Sequence, residues 1–231
     1  RPDDFVILVM GTSGAGKTTF IQNFAKDQLD VGVGLESCTQ SIQICEGKLS
    51  STQNIMLVDM PGLDDSARSD TDVLLEISDW LQTAYQERIS ISGIVYLHRI
   101  SDARIGISDT KNLRMLQKLC GNSMLDRVVF ATTFWDKILM EHGAEREKEL
   151  ASREDFLHPM IRRGTTLTRH IGGRESACRI VELLTNTNTR CTLDIQIDMV
   201  ERGLLKSDSA WKRNANGNPS AADYAAIGSV G

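Results

Sequence analysis

The sequence predicts a three-layer α/β domain around a mostly parallel central sheet with one antiparallel strand, the second. Three observations carry this. Short apolar runs alternate with longer stretches whose apolar residues recur at helical spacing. The first apolar run breaks directly into a glycine-rich turn that opens helix-compatible residues, in Phe5 to Phe20, FVILVMGTSGAGKTTF. Two later runs end in short motifs, Asp59-Met60-Pro61-Gly62 and Thr133-Phe134-Trp135-Asp136, which parallel strands would carry to one edge of the sheet.

With 231 residues and 41% hydrophobic content, the chain can bury one substantial core. We expect one α/β domain over residues 1–186, a short helical extension over 187–205 and a disordered tail over 206–231, where the composition turns to Ser, Asn, Ala and Gly. A net charge of −5 without a Lys/Arg-rich block argues against nucleic acid as the main partner. Five scattered cysteines with no C-x-x-C pair indicate neither a disulfide framework nor a zinc knuckle, and a reducing, cytoplasmic setting is the expectation. The four dispersed histidines read as structural or surface residues. No apolar run reaches the length of a membrane span, and no signal-peptide pattern opens the chain.

Gly11, Gly16, Lys17 and Thr18 fit G-x-x-x-x-G-K-[ST], a P-loop between a buried strand and a helix start. Its glycines let successive N–H groups converge on phosphate oxygens, with Ser13, Gly14, Ala15 and Thr19 completing the nucleotide-binding loop. Lys17 would reach the β- and γ-phosphates, and the Thr18 hydroxyl would coordinate Mg²⁺. The following helix is expected from Thr18 to Leu29, with Phe20, Ile21, Phe24 and Ala25 on one face. A polar loop then leads to Thr39, the candidate to complete the Mg²⁺ shell when a γ-phosphate is present, although Ser37 and Ser41 are chemically similar.

Ile42 and Ile44 alternate with polar residues as in a half-buried strand, and Glu46-Gly47-Lys48 reads as the hairpin turn back to Ile55–Val58. At the end of that strand Asp59 would hold a Mg²⁺-bound water, and the Gly62 N–H would sense the γ-phosphate. Asp70 is the expected cap of a helix with Val73, Leu74, Ile77, Trp80, Leu81 and Ala84 on one stripe. Ser92–His98 supplies the next strand, and His98 to Arg104 leaves its carboxyl end. There Arg99 or Arg104 is either a charge-stabilising finger, in cis or across a dimer, or a surface arginine paired with Asp102 or solvent. A helix over Asp109–Cys120 should stop at Gly121.

Arg127–Thr132 is the next strand, and Thr133-Phe134-Trp135-Asp136 after it is similar to the [NT]-K-x-D guanine-recognition motif, with Phe134 in the lysine's place. A carboxylate at Asp136 accepts two hydrogen bonds from guanine N1–H and the exocyclic amine, a donor pair that adenine lacks. Ala144–Leu157 is expected as a charged helix with a solvated face, ended by Pro159. Thr165–Arg169 and Glu175–Leu184 are the last strand and helix.

With these three motifs in order, the chain resembles the P-loop GTPases from about Phe5 to Leu184. SCTQS before the second strand, an aliphatic residue after D-x-x-G, and Thr-x-Trp-Asp resemble the septin, chloroplast-import-receptor and immune-associated nucleotide-binding branch. YLHRISDARIG is similar to fungal G-domain proteins of that branch. The resemblance implies GTP/GDP and Mg²⁺ as ligands, Lys17, Thr39 and Gly62 as catalytic groups, and a possible nucleotide-dependent homodimer. It also places a further base-contacting loop near Arg169–Gly172. Ras-like enzymes orient the attacking water with a glutamine after the D-x-x-G glycine; here that residue is Leu63, so slow turnover is expected unless a second copy or a partner supplies the missing group. The alternative is a nucleotide-dependent assembly module with negligible turnover; Asp136 disfavours an ATP-dependent kinase.

Overall fold

The first apolar run becomes a strand buried on both faces, as a central parallel strand must be. It is β1, Phe5–Gly11. The computed structural model describes residues 5–25, 42–62, 69–121, 124–186 and 193. Successive β1 side chains serve two cores. Val6, Leu8 and Met10 pack on one face of the sheet, and Ile7 and Val9 on the other.

The remaining strands are β2 (Gln43–Lys48), β3 (Asn54–Asp59), β4 (Ile91–Arg99), β5 (Val128–Thr133) and β6 (Thr166–Arg169). They form one six-stranded sheet in the order β2-β3-β1-β4-β5-β6. Only the β2–β3 pair is antiparallel; β1 pairs in parallel with β3 and β4, and β5 with β4 and β6. The carboxyl ends of β1, β3, β4, β5 and β6 therefore share one edge.

The helices are α1 (Lys17–Gln22), α2 (Asp70–Gln86), α3 (Ile107–Cys120), α4 (Met140–Ser152), α5 (His158–Ile161) and α6 (Gly173–Thr185). Val73, Ile77 and Leu81 of α2, Leu113 and Leu116 of α3, and Leu150 of α4 build the core on one face. Phe20 and Ile21 of α1 with Ala177, Ile180, Val181 and Leu184 of α6 build the other. The three layers follow.

Several boundaries differ from expectation, each for a local reason. Helix α1 ends at Gln22 rather than Leu29, because the Asn23 amide donates to the Thr19 and Phe20 carbonyls and Ala25 forms a bridge with Gly47. Gly47 is not a turn residue but a strand residue paired with Ile55. A Cβ there would lie 2.8 Å from Phe24, so the position is glycine for close approach. Ser69, not Asp70, caps α2, its hydroxyl accepting the Asp72 N–H at 3.1 Å. Helix α4 starts at Met140 and stops at Ser152, leaving Phe156 and Leu157 buried beyond it. Pro159 lies in the first turn of α5, where a missing N–H costs nothing, instead of ending the preceding helix. The expected stop of α3 at Gly121 is found, with φ 65°. Thr39, Leu63 and the 206–231 tail lie outside the described residues, as does the 187–205 extension apart from Leu193, which is buried.

Candidate nucleotide site

The chain leaves β1 through a glycine that nothing else can replace. Gly11 has φ +142°, and a Cβ on it would fall 2.3 Å from the Leu97 carbonyl oxygen of β4. Gly14 and Gly16 follow at φ +72° and +94°, so the loop curls back on itself and places Lys17 at the start of α1. Lys17 is only 6% exposed, and its ammonium donates to the Gly11 and Thr12 carbonyls at 3.0 and 3.1 Å, spanning the mouth of the loop. Ser13 is half-buried, Gly14 and Thr19 are exposed, and Ala15 is buried against the sheet.

Beside this loop the Thr18 hydroxyl donates to Asp59 Oδ2 at 2.9 Å. Asp59 is 3% exposed at the end of β3, fixed by the Val9↔Asp59 register and by the Met60 N–H donating to the Val9 carbonyl. A hydroxyl and a carboxylate in contact are hard oxygen donors, the set Mg²⁺ takes when phosphates and waters supply the rest of its shell. Among the described residues no cluster of three or more His, Cys, Asp or Glu offers an all-protein metal site. The residues present therefore fit Mg²⁺ held jointly with a nucleotide. Gly62 is buried just beyond Asp59, where the described stretch ends. Burial, helped by the Asp59 carboxylate, pushes the Cys45 thiol up, so Cys45 is a packing group.

The third motif meets the same loop. Thr133 is 4% exposed, and its hydroxyl donates to the Ala15 carbonyl at 3.0 Å, with the His98 carbonyl at 3.3 Å as a second acceptor. Phe134 takes the left-handed conformation, φ 59° and ψ 38°. Trp135 is buried, its indole N–H donating to the Thr132 carbonyl and hydroxyl, and the Arg169 guanidinium lies 4.3 Å over its ring. Asp136 reaches solvent, 3.1 Å from the Lys137 ammonium. The His170 N–H donates to the Thr132 carbonyl at 2.8 Å, which sets the Arg169–Gly172 loop beside the end of β5.

The segment after β4 is clamped from two sides. Arg146 of α4 donates to the Ile100 and Ser101 carbonyls at 3.0 and 2.8 Å, and the Asp109 carboxylate accepts the Gly106 N–H at 2.7 Å. Arg99 pairs with Asp102 at 3.0 Å, as one of the two sequence readings had it. Its Nη1 nevertheless stands 3.3 Å from where a Gly14 Cβ would be, so the guanidinium lies over the loop in cis. Arg104 is exposed. Burial holds the His98 imidazole below its ordinary range, against the opposing pull of Asp109 3.6 Å away.

Sequence reasoning missed Arg146 and the Thr133–Ala15 tie. Arg146 is one charge among many on a helix read as solvated, and its acceptors, the Ile100 and Ser101 carbonyls, lie some 45 residues away in sequence.

The glycine loop at the end of β1, the Thr18–Asp59 pair and the sheet order define a P-loop nucleotide-binding domain. Residues 6–130, more than half of the chain, match the family described as 50S ribosome-binding GTPase, and the chain belongs to that GTPase family, whose members are hydrolases acting on GTP. The fold is similar to Toc33 from Arabidopsis thaliana in complex with GDP and Mg²⁺, with TM-score 0.60 and 15% identity over 83% of this chain and 88% of that one. It is also similar to a structure (TM-score 0.62, 14% identity, 83% and 86% covered) from work on dimerisation and the GTPase activity of the chloroplast translocon components atToc33 and psToc159. The bacterial selenocysteine-specific elongation factor EF-Sec matches at TM-score 0.55 and 16% identity over 81% of this chain and 29% of its own. No curated protein sequence matches the chain.

Proposed function

We propose that the protein binds GTP·Mg²⁺ and hydrolyses it slowly to GDP and phosphate, with self-association or a partner completing the site. The convergence of Lys17, the Thr18–Asp59 pair and Arg99 on one glycine loop carries the reading. In the nucleotide complex the Lys17 ammonium exchanges the Gly11 and Thr12 carbonyls for β- and γ-phosphate oxygens. Thr18 and Thr39, with Asp59 through a water, would hold Mg²⁺, which would neutralise charge on those oxygens when bound. The Gly62 N–H and Lys17 then stabilise the charge that develops as water attacks the γ-phosphorus and the bond to the bridging oxygen breaks. Leu63, following Gly62, has no polar atom in its side chain with which to orient that water.

Dimerisation is important for the GTPase activity of the Toc proteins. We take the exposed Arg104, on a segment clamped by Arg146 and Asp109, as the residue that a second copy would receive, while Arg99 serves the same loop in cis. The branch shared with chloroplast import receptors, read from SCTQS and Thr-x-Trp-Asp, accords with this. Phosphate release per molecule, measured over a wide range of protein concentration, tests the proposal. The specific rate should climb with concentration in the wild type and stay low in Arg104→Ala. A low, flat wild-type rate with intact GTP binding would favour a nucleotide-dependent assembly module.

Base choice rests on Asp136, whose exposed carboxylate pairs with its neighbour Lys137. Two charge-assisted bonds to guanine, at about 1.5–3 kcal/mol each, correspond to roughly two to four decades of preference. Asp136→Asn should move the preference toward xanthine nucleotides, and an unchanged profile would remove the guanine assignment.

A further inference from the structure

We propose that the open edge of β6 takes an extended acidic peptide of a partner protein as a further strand of the sheet. β6 holds none of the phosphate-loop or Mg²⁺ residues, so docking there is independent of the nucleotide reading. β2 and β6 are the two outermost strands. Part of the β2 edge is taken, because Ala25 bridges to Gly47; beyond β6 no strand or bridge follows among the described residues. The hydrogen bonds of β6 show which of its groups are left over. The His170 N–H donates to the Thr132 carbonyl, and the Thr168 carbonyl accepts the Thr132 hydroxyl, so the backbone groups of Thr166, Thr168 and His170 turn toward β5. Backbone direction alternates along a strand, and the N–H and C=O groups of Leu167 and Arg169 therefore point outward.

A groove of about 550 Å³ runs along this edge, lined by residues of α4, β6 and α6. Ala151, Leu167 and the 63% exposed Ile171 give it an apolar part, while Lys148, Arg169 and Arg179 outnumber its one carboxylate, Glu147. In a chain of net charge −5 this basic lining runs against the average. Glu147 is committed to Arg169, and Arg179 pairs with Glu175, but Lys148 has no ion-pair partner among the described residues. A charged side chain commonly blunts an edge strand. Arg169 does not, since its guanidinium is drawn onto Glu147 and over the Trp135 ring. These features select the occupant. Outward N–H and C=O groups call for a second peptide backbone, which a nucleic acid lacks. A second copy paired β6 to β6 would set Lys148, Arg169 and Arg179 against the same three cations, and like charges across a strand pair are destabilising. A partner strand with carboxylates at alternate positions meets opposite charge instead, and its β-branched residues suit the pleat.

The test titrates the full chain with the synthetic peptide TEVDTEV and follows amide hydrogen exchange residue by residue by NMR. Strand addition predicts that the Leu167 and Arg169 amides, open to solvent in the free protein, become protected, while that of Thr168, already turned to β5, changes little. The same peptide N-methylated at every second residue should bind weakly in one of its two phases, because pairing needs its N–H groups on one side only. The basic counterpart TKVKTKV should not bind. A Lys148→Glu, Arg179→Gln variant should bind TEVDTEV about tenfold more weakly, and added salt should weaken binding to the wild type. Absence of binding by TEVDTEV overturns the proposal. So does binding that leaves Leu167 and Arg169 unprotected, or that both N-methylated peptides reproduce, which would make the groove a general anion surface; an oligonucleotide that displaces the peptide while protecting neither amide has the same meaning. Protection that rises with protein concentration and without peptide would give the edge to a second copy and overturn it as well.

Discussion

At Gly11 one added methyl group meets a backbone oxygen that cannot step aside, since Leu97 is fixed in the middle of the sheet. Gly11→Ala should cost about 3 kcal/mol or more in chemical denaturation, from left-handed strain and overpacking together. Gly172→Ala, at φ +94° and ψ 162° with nothing within 4 Å, carries only the torsional part, about 1–3 kcal/mol. Lys17→Ala should abolish measurable GDP binding in titration, since the ammonium that spans the Gly11 and Thr12 carbonyls is the group that would meet the phosphates. Two histidines set the acid limit. Burial depresses His98 and His170 below the ordinary 6.5, so the unfolded chain takes up protons first as pH falls. Stability is full above pH 6.5 and declines below it, by up to about 1.4 kcal/mol per pH unit for each group. Urea midpoints from pH 7.5 to 5 check this, and His98→Gln should flatten the slope. The phosphate-loop residues were legible because their spacing is a backbone requirement; that Thr133 spends its hydroxyl on Ala15 was not, because residues far apart in sequence meet only in the sheet.

Among the elements, the strands were the easiest to read, since burial on both faces leaves long apolar runs. The errors fell where one side chain outweighs a pattern: Asn23 closing α1, Phe24 pressing on Gly47, and Ser69 taking the cap from Asp70. Tertiary arginines were invisible for the same reason. Arg127, 5% exposed, donates to the Ser92 and Leu184 carbonyls and ties the start of β4 to the end of α6. Arg127→Met should destabilise by about 3 kcal/mol, because two buried carbonyls lose a charged donor, and the loss should appear in thermal unfolding with nucleotide affinity preserved. Arg146→Met releases the Ile100–Ser101 turn from α4. It should lower concentration-dependent GTP hydrolysis several-fold without weakening GDP binding, as single-turnover and titration data would separate.

For the whole molecule, the nucleotide is a structural component as well as a substrate. At a hundredfold excess over its dissociation constant, GDP should raise unfolding stability by about 2.7 kcal/mol. Chelation of Mg²⁺ should reverse part of that shift in a thermal scan of the wild type and less of it in Thr18→Ala, whose oxygen is one of the two donors in contact. The order of the strands has a further consequence, for synthesis. The Val6 N–H donates to a Ser92 side chain 86 residues later, and β1, made first, is enclosed only when β4 arrives. At about 5–20 residues per second, a ribosome needs roughly 4–17 s to span that interval. Throughout it FVILVM, an uncharged segment, keeps at least one pairing edge bare and open to mispairing. The strand that anchors the finished sheet is, during translation, one that waits some 86 residues for its second partner.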